Sequence, residues 1–329
     1  MASYKTFPGA RVWLVVIAVS LSACAPVIRP TMTPSAAASH MAEFWEDPTD
    51  LEARDLLYGF WGVERAPDPN VTYAFLRKKR QGNNPGVTVT DPQGREWHVK
   101  RGTEAQPEVV LSHILWALGY HQPPVYYLSS FTLGDASGTR TERGGRFRLS
   151  DPSVKNRGQW SWQQNPFVGT TPYQGLLVIL VTFNSADLKN ENNTVYEVKR
   201  TDHDSERWYA VRDLGSSLGA TGRFNPSEND PNLFDRGGFI TSVANGYVEF
   251  DYGAINKALV DHRVTPGDVQ WAMGLLARLT DRQWADAFPG AGYEPAVADR
   301  FIARLRQKIA AGQRLGLTST SLSERKPPC

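Results

Sequence analysis

Residues 173–183 (YQGLLVILVTF) restrict how this chain can fold more than any other stretch, because none of them is charged. Such a run has to be covered on every side, and it falls well short of the ~20 apolar residues that cross a bilayer as a helix. Periodicity alone leaves helix and strand open, and the length favours a buried helix. The chain has the material to cover it, since 41% of its 329 residues are hydrophobic and it holds 10 Trp, 12 Tyr and 14 Phe. That composition excludes wholesale disorder.

Directly after the run the chain turns polar. Asn184-Ser185-Ala186 leads into Asp187-Leu188-Lys189-Asn190-Glu191-Asn192, residues 194–212 read as a hairpin, and Asp213-Leu214-Gly215 follows. Phosphoryl transfer from a nucleotide needs an acid that accepts or orients a hydroxyl proton. It also needs an amide oxygen and a carboxylate for magnesium, and a cation on the phosphates. All four residue types are present here. Asp187 and Asn192 share one loop, Gly215 permits close approach beside Asp213, and Lys189 is placed to face a transferred phosphate. Taken singly, Asp and Asn in a loop are turn formers. Their order, together with Val99-Lys100 upstream, is what points to a site.

These residues resemble the signature of the protein-kinase-like superfamily. DLKNEN is similar to the catalytic loop Asp-Leu-Lys-x-x-Asn of serine/threonine kinases, and DLG is similar to the magnesium-binding Asp-Phe-Gly. Val99-Lys100 ends a predicted strand as the family's nucleotide-phosphate lysine does. Glu108 on the next helix stands where its ion-pair partner would, with Glu104 as the second candidate. The resemblance spans residues 71–223 and implies Mg2+ and ATP, or another nucleotide, as cofactors. It implies Lys100 on the phosphates, Glu108 orienting Lys100, Asp187 as base, Lys189 stabilising transferred charge, and Asn192 and Asp213 on the metal. No GxGxxG is present, so Gly82-Asn83-Asn84-Pro85-Gly86, between two strands, is the candidate phosphate-covering loop through Gly82 and Gly86. Asn184-Ser185-Ala186 replaces the family's His-Arg, no Ala-Pro-Glu follows Asp213, and Lys100 and Glu108 lie close in sequence. These departures resemble the atypical branches: HipA-like, phosphoinositide-kinase-like or secretory-pathway kinases. The acceptor is a protein or a small molecule.

The rest of the chain reads as a framework for that site. Residues 71–80, 87–90 and 96–100 are β-rich, and Asp91-Pro92-Gln93-Gly94 carries turn chemistry, which predicts an antiparallel sheet. Val109, Val110, Ile114, Leu115 and Leu118 recur at helical spacing after Pro107 until Gly119. Residues 125–148 are β-like. Residues 151–172 form a long connection whose Trp160, Trp162 and Phe167 are read as buried against the lobes. Residues 267–279, 281–288 and 294–311 are amphipathic helices with Arg and Lys on the outer face. Residues 43–60 are compatible with a helical entry segment interrupted by Pro48. Arg77-Lys78-Lys79-Arg80 reads as a solvated face, and His113 and Trp116 as packing residues. The expected fold is α+β and two-lobed, kinase-like by the resemblance. Residues 41–150 form a β-rich N-lobe with one helix, residues 151–329 a mainly helical C-lobe, and a ligand cleft lies between them.

At the amino end, Lys5 and Arg11 precede the apolar run 12–23, the order of an export signal. It ends in Leu21-Ser22-Ala23-Cys24, which resembles the lipobox of bacterial lipoproteins. Residues 1–23 are then the signal peptide, Cys24 the lipidated first mature residue, and residues 24–40 a flexible Pro/Ser/Thr/Ala-rich tether. The membrane is thus a partner. Ala25-Pro26 lacks the aspartate of inner-membrane retention, so the resemblance implies the outer membrane facing the periplasm, with the cell surface as alternative. The 36 Lys and Arg exceed the 34 Asp and Glu only by Lys5 and Arg11, so the mature chain is neutral and nucleic acid is not an expected partner. Cys24 and Cys329 make no disulfide framework, and the six His show no HExxH pattern. The competing reading is a non-catalytic envelope lipoprotein that binds a partner or ligand.

Overall fold

The computed structural model describes residues 27–78, 86–200, 204–222 and 227–323, with side chains as far as residue 315. Cys24, Gly82 and Cys329 lie outside the described residues.

The first lobe is built on β2 (Thr72–Lys78), β3 (Gly86–Thr90), β4 (Glu96–Lys100), β5 (Val125–Asp135) and β6 (Gly138–Leu149), with α2 (Ala105–Ala117) between β4 and β5. The five strands close into a barrel in the order β2-β3-β4-β6-β5. The expected antiparallel sheet is corrected at one seam, where β2 and β5 run parallel with Thr72 opposite Thr132. A parallel neighbour needs a crossover, and the connection through α2 supplies one. Tyr73, Val89, Trp97, Phe131 and Phe147 fill the barrel. Asp91 holds the β3–β4 turn by accepting from the Gln93 and Arg95 amides and from Trp97 Nε1. α2 stops at Gly119, whose φ of 97° suits glycine and whose Cβ, if present, would collide with the Glu46 carbonyl.

The second lobe carries β7 (Val154–Asn156), β8 (Gln164–Asn165), α3 (Thr171–Thr182), β9 (Asn193–Lys199), β10 (Ser205–Val211), α4 (Pro231–Arg236), β11 (Ile240–Ala244) and β12 (Tyr247–Phe250). It closes with α5 (Pro266–Ala277), α6 (Asp281–Gly290) and α7 (Pro295–Ser323). The uncharged run is α3, started by Thr170 as cap and buried from Leu176 to Val181. Gly175 lets Trp271 of α5 lie directly on it. Capping boxes at Thr265/Asp268 and Thr280/Gln283 start α5 and α6, each worth about 1 kcal/mol. Trp160, Trp162 and Phe167 are buried in the core of this lobe. The β11–β12 hairpin was not foreseen. Asn245 and Gly246 at its tip both have positive φ, the pattern that matches a tight turn to strand twist.

Two further expectations are corrected. The stretch read as a flexible tether is structured from β1 (Arg29–Pro30), which pairs with β8, into α1 (Pro34–Ser39). The Arg29 and Thr31 amides find carbonyls on Gln163 and Asn165, and Thr33 caps α1 ahead of Pro34. Residues 43–60 form no α-helix. They make short 3-10 turns at Met41–Glu43 and Leu51–Ala53, while Phe44, Leu51 and Leu56 are buried. Pro48 and the Asx turn at Asp55 divert the backbone hydrogen bonds. The architecture is α+β in two lobes. No described helix is long and apolar enough to cross a membrane.

Candidate functional site

A cleft of about 590 Å3 opens between the lobes, with Lys100, Arg146, Arg148, Tyr196, Arg212 and Asp213 among its walls. Lys100 ends β4, opposite Gly86 on β3 and Arg146 on β6. Its side chain is 4% exposed. Nζ donates to Glu104 Oε2 at 2.8 Å and to Asp213 Oδ1 at 2.7 Å, and lies 2.9 Å from Glu108 Oε2. Three carboxylates thus surround one ammonium, two of them as hydrogen-bond acceptors and Glu108 as an ion pair. Burial opposes the charge, but Glu108 and Asp213 outweigh it and hold the Lys100 pKa above the ordinary lysine value.

Glu108 sits on α2 and is fully buried. Its Oε1 accepts from Arg148 Nη2 and forms an ion pair with Arg146, whose Nε lies 2.8 Å away. Arg146 and Arg148 flank Phe147 on β6, so strand alternation turns the ring into the barrel and both guanidiniums towards the cleft. Burial would raise the Glu108 carboxyl, but Arg146, Lys100 and Arg148 hold it below its usual range. Burial also brings Arg146 down to about 10.

Asp213 follows β10, and its side chain is 39% exposed. Burial pushes its pKa up, yet Lys100 pulls it well below the carboxylate range. The Arg212 and Asp213 amides both donate to Asn192 O, at 2.7 and 3.2 Å, which ties the DLG segment to the loop after α3. Gly215 is required by packing, because a Cβ there would stand 2.6 Å from Glu104 Cβ. Within the loop, Asn192 Nδ2 donates to Asp187 O at 2.7 Å. Lys189 Nζ lies 3.0 Å from Asp187 Oδ1. Ala186 is bonded on both sides, to Ser216 and Ile255. Asn190 holds Trp162 N and Gln163 and serves as a brace.

The structure therefore brings Lys100, Glu108, Glu104 and Asp213 into direct contact. Asn192 links Asp187 to Asp213, its side chain donating to the Asp187 carbonyl and its own carbonyl accepting from the Asp213 amide, while Asp187 and Lys189 pair with each other and do not line the cleft. Glu104 and Glu108 share Lys100, so they are not alternatives. Arg146, Arg148 and Arg212 were not singled out from sequence. The signal was the alternation Arg146-Phe147-Arg148 and the position of Arg212 directly before Asp213.

The donor set suits a hard divalent cation. Asp213 is a partly exposed carboxylate, and Asn192 Oδ1 makes no hydrogen bond to a described residue. No group of three or more His, Cys, Asp or Glu that could hold a metal occurs among the described residues.

No protein-family model and no curated protein sequence matches this chain. Its structure is similar to that of the Helicobacter pylori proinflammatory kinase CtkA, with a TM-score of 0.44 and 12% identity over 76% of this chain and 99% of that one. It is also similar to the Golgi casein kinase solved with Mn/ADP bound, with a TM-score of 0.38 and 9% identity over 76% of this chain and 74% of that one.

Proposed function

We propose that this chain is an atypical, kinase-like phosphotransferase that uses Mg2+ and a nucleotide. It is exported, and anchored to the cell envelope through a lipid on Cys24, at the outer membrane facing the periplasm. The observation that carries the catalytic reading is Lys100 Nζ between Glu108 at 2.9 Å and Asp213 at 2.7 Å in the interlobe cleft. A helix-borne carboxylate orienting a lysine, beside a carboxylate at a strand end, is an arrangement by which protein kinases position a nucleotide's phosphates and metal.

In this reading Asn192 and Asp213 hold Mg2+, which when bound supplies Lewis-acid stabilisation of phosphate oxygens. Lys100 binds the phosphates, and Glu108, fixed by Arg146 and Arg148, orients it. Asp187 accepts the acceptor's hydroxyl proton at a carboxylate oxygen, and Lys189 beside it offsets negative charge on the transferred group. Gly86 stands opposite Lys100 and, with Gly82, is assigned to the phosphates in this reading.

A second reading, non-catalytic binding of a partner or ligand in the same cleft, is favoured by one observation. Both key carboxylates are already paired, Asp187 with Lys189 and Asp213 with Lys100. Phosphate transfer from labelled ATP separates the two. The catalytic reading expects Asp187→Asn to keep Mg-ATP binding and lose at least ~100-fold in turnover. Binding without turnover in the unmutated protein, across protein and small-molecule acceptors, would favour the second.

A further inference from the structure

Arg212 is left without a carboxylate on the wall of the cleft. Its backbone carbonyl accepts from Arg148 Nη2 at 2.7 Å, which fixes the Arg212 main chain beside the Arg148 guanidinium. Arg148 is matched by Glu108. The Arg212 guanidinium is half-buried and makes no hydrogen bond or ion pair with a described residue. Lys100, Arg146, Arg148 and Arg212 face the carboxylates Glu104, Glu108 and Asp213, so the group carries one surplus positive charge, and Arg212 is the one cation of the four in no ion pair with a described residue. A half-buried surplus cation in a cleft complements an anion, and the planar guanidinium fork matches two oxygens of one phosphate.

We infer that Arg212, steadied by Arg148, is a phosphate-binding group separate from Lys100, and that the cleft's ligand presents it with phosphoryl oxygens. The inference rests on the nucleotide reading and deepens it, because the ligand then carries phosphate held at two places. Those oxygens have two sources, the donor nucleotide or a phosphorylated acceptor.

Calorimetric titration of the unmutated protein, Arg212→Gln and Arg212→Lys tests this, with Mg2+ present and ATP, inorganic triphosphate or adenosine as probe. A fourth arm titrates inorganic phosphate onto protein saturated with Mg-ATP. If the donor supplies the oxygens, Arg212→Gln weakens ATP and triphosphate by about ten- to a hundredfold, since a hydrogen bond to a charged group contributes about 1.5–3 kcal/mol. Adenosine is unaffected and Arg212→Lys recovers part of the loss. If an acceptor supplies them, ATP and triphosphate are unchanged and the inorganic phosphate arm is weakened instead. Unliganded Arg212→Gln has a Tm equal to or above that of the unmutated protein, because a like-charge contact is removed. An equal loss for adenosine, no loss in any phosphate arm, or a lowered Tm without ligand overturns the inference. Unmutated protein that binds triphosphate through Arg212 but not ATP would keep the inference and end the nucleotide reading, whereas binding of no probe ends both.

Discussion

Lys100 in the cleft and Lys308 in the helical lobe are 3% and 1% exposed, and their surroundings drive them in opposite directions. Lys100 meets Glu104, Glu108 and Asp213 and is held charged. Lys308, on α7, donates to Thr182 O at 2.9 Å and Asn184 Oδ1 at 2.8 Å and lies 4.3 Å over the Phe234 ring. No carboxylate of a described residue bonds it, and burial, with Arg304 adding to it, pushes its pKa down to about 7 against a weaker pull from Asp251. Burial alone therefore does not set a lysine's charge; the number of carboxylates within reach does. The contrast also divides the labour. Lys100 keeps a fixed positive charge facing a cleft, whereas Lys308 clamps the end of α3 at Asn184, a residue at positive φ three positions before Asp187.

The strongest way to break this comparison is Glu108→Gln, which gives Lys100 surroundings closer to those of Lys308. It leaves Lys100, Arg146 and Arg148 buried with too few carboxylates, and removing one partner of a buried ionic network costs about 3–5 kcal/mol. Urea unfolding should show a loss of that order, and a loss below ~1 kcal/mol would mean that the network is well solvated.

A pH series sharpens the other side. The folded pKa of Lys308, about 7, lies below its ordinary 10.5, so between these values the unfolded chain keeps a proton that the folded protein has released. Stability should accordingly rise as pH increases through that window, by an amount on the order of a few kcal/mol. Lys308→Met should remove this slope, and an unchanged slope would contradict the account of Lys308.

Much of the cleft was legible because its chemistry is spaced along the chain in recognisable order. Lys100 closes a β-rich segment, Glu108 falls in the first turn of the next helix, and Asp213 precedes a glycine needed for packing. Arg146 and Arg148 were harder to see. They stand in a Gly- and Arg-rich hairpin where arginines are ordinarily solvated, and only closure of the barrel brings them over Glu108. Lys308 was hidden in an amphipathic helix whose basic residues read as an outer face, since one inward lysine barely alters the period. The parallel β2–β5 seam depends on pairing between distant strands, which local alternation does not encode. The structured segment from Arg29 to Ser39 depends on partners in β8, more than a hundred residues later.

The most direct test of the central claim, that the Lys100–Asp213 cleft holds a metal-bound nucleotide, is the thermal stability of the unmutated protein and Asp213→Asn, each with and without Mg-ATP. A ligand at 100 times its dissociation constant stabilises by about 2.7 kcal/mol. The account predicts a rise in Tm with Mg-ATP in the unmutated protein and little or none in Asp213→Asn. An equal rise in both, or none in either, would contradict it.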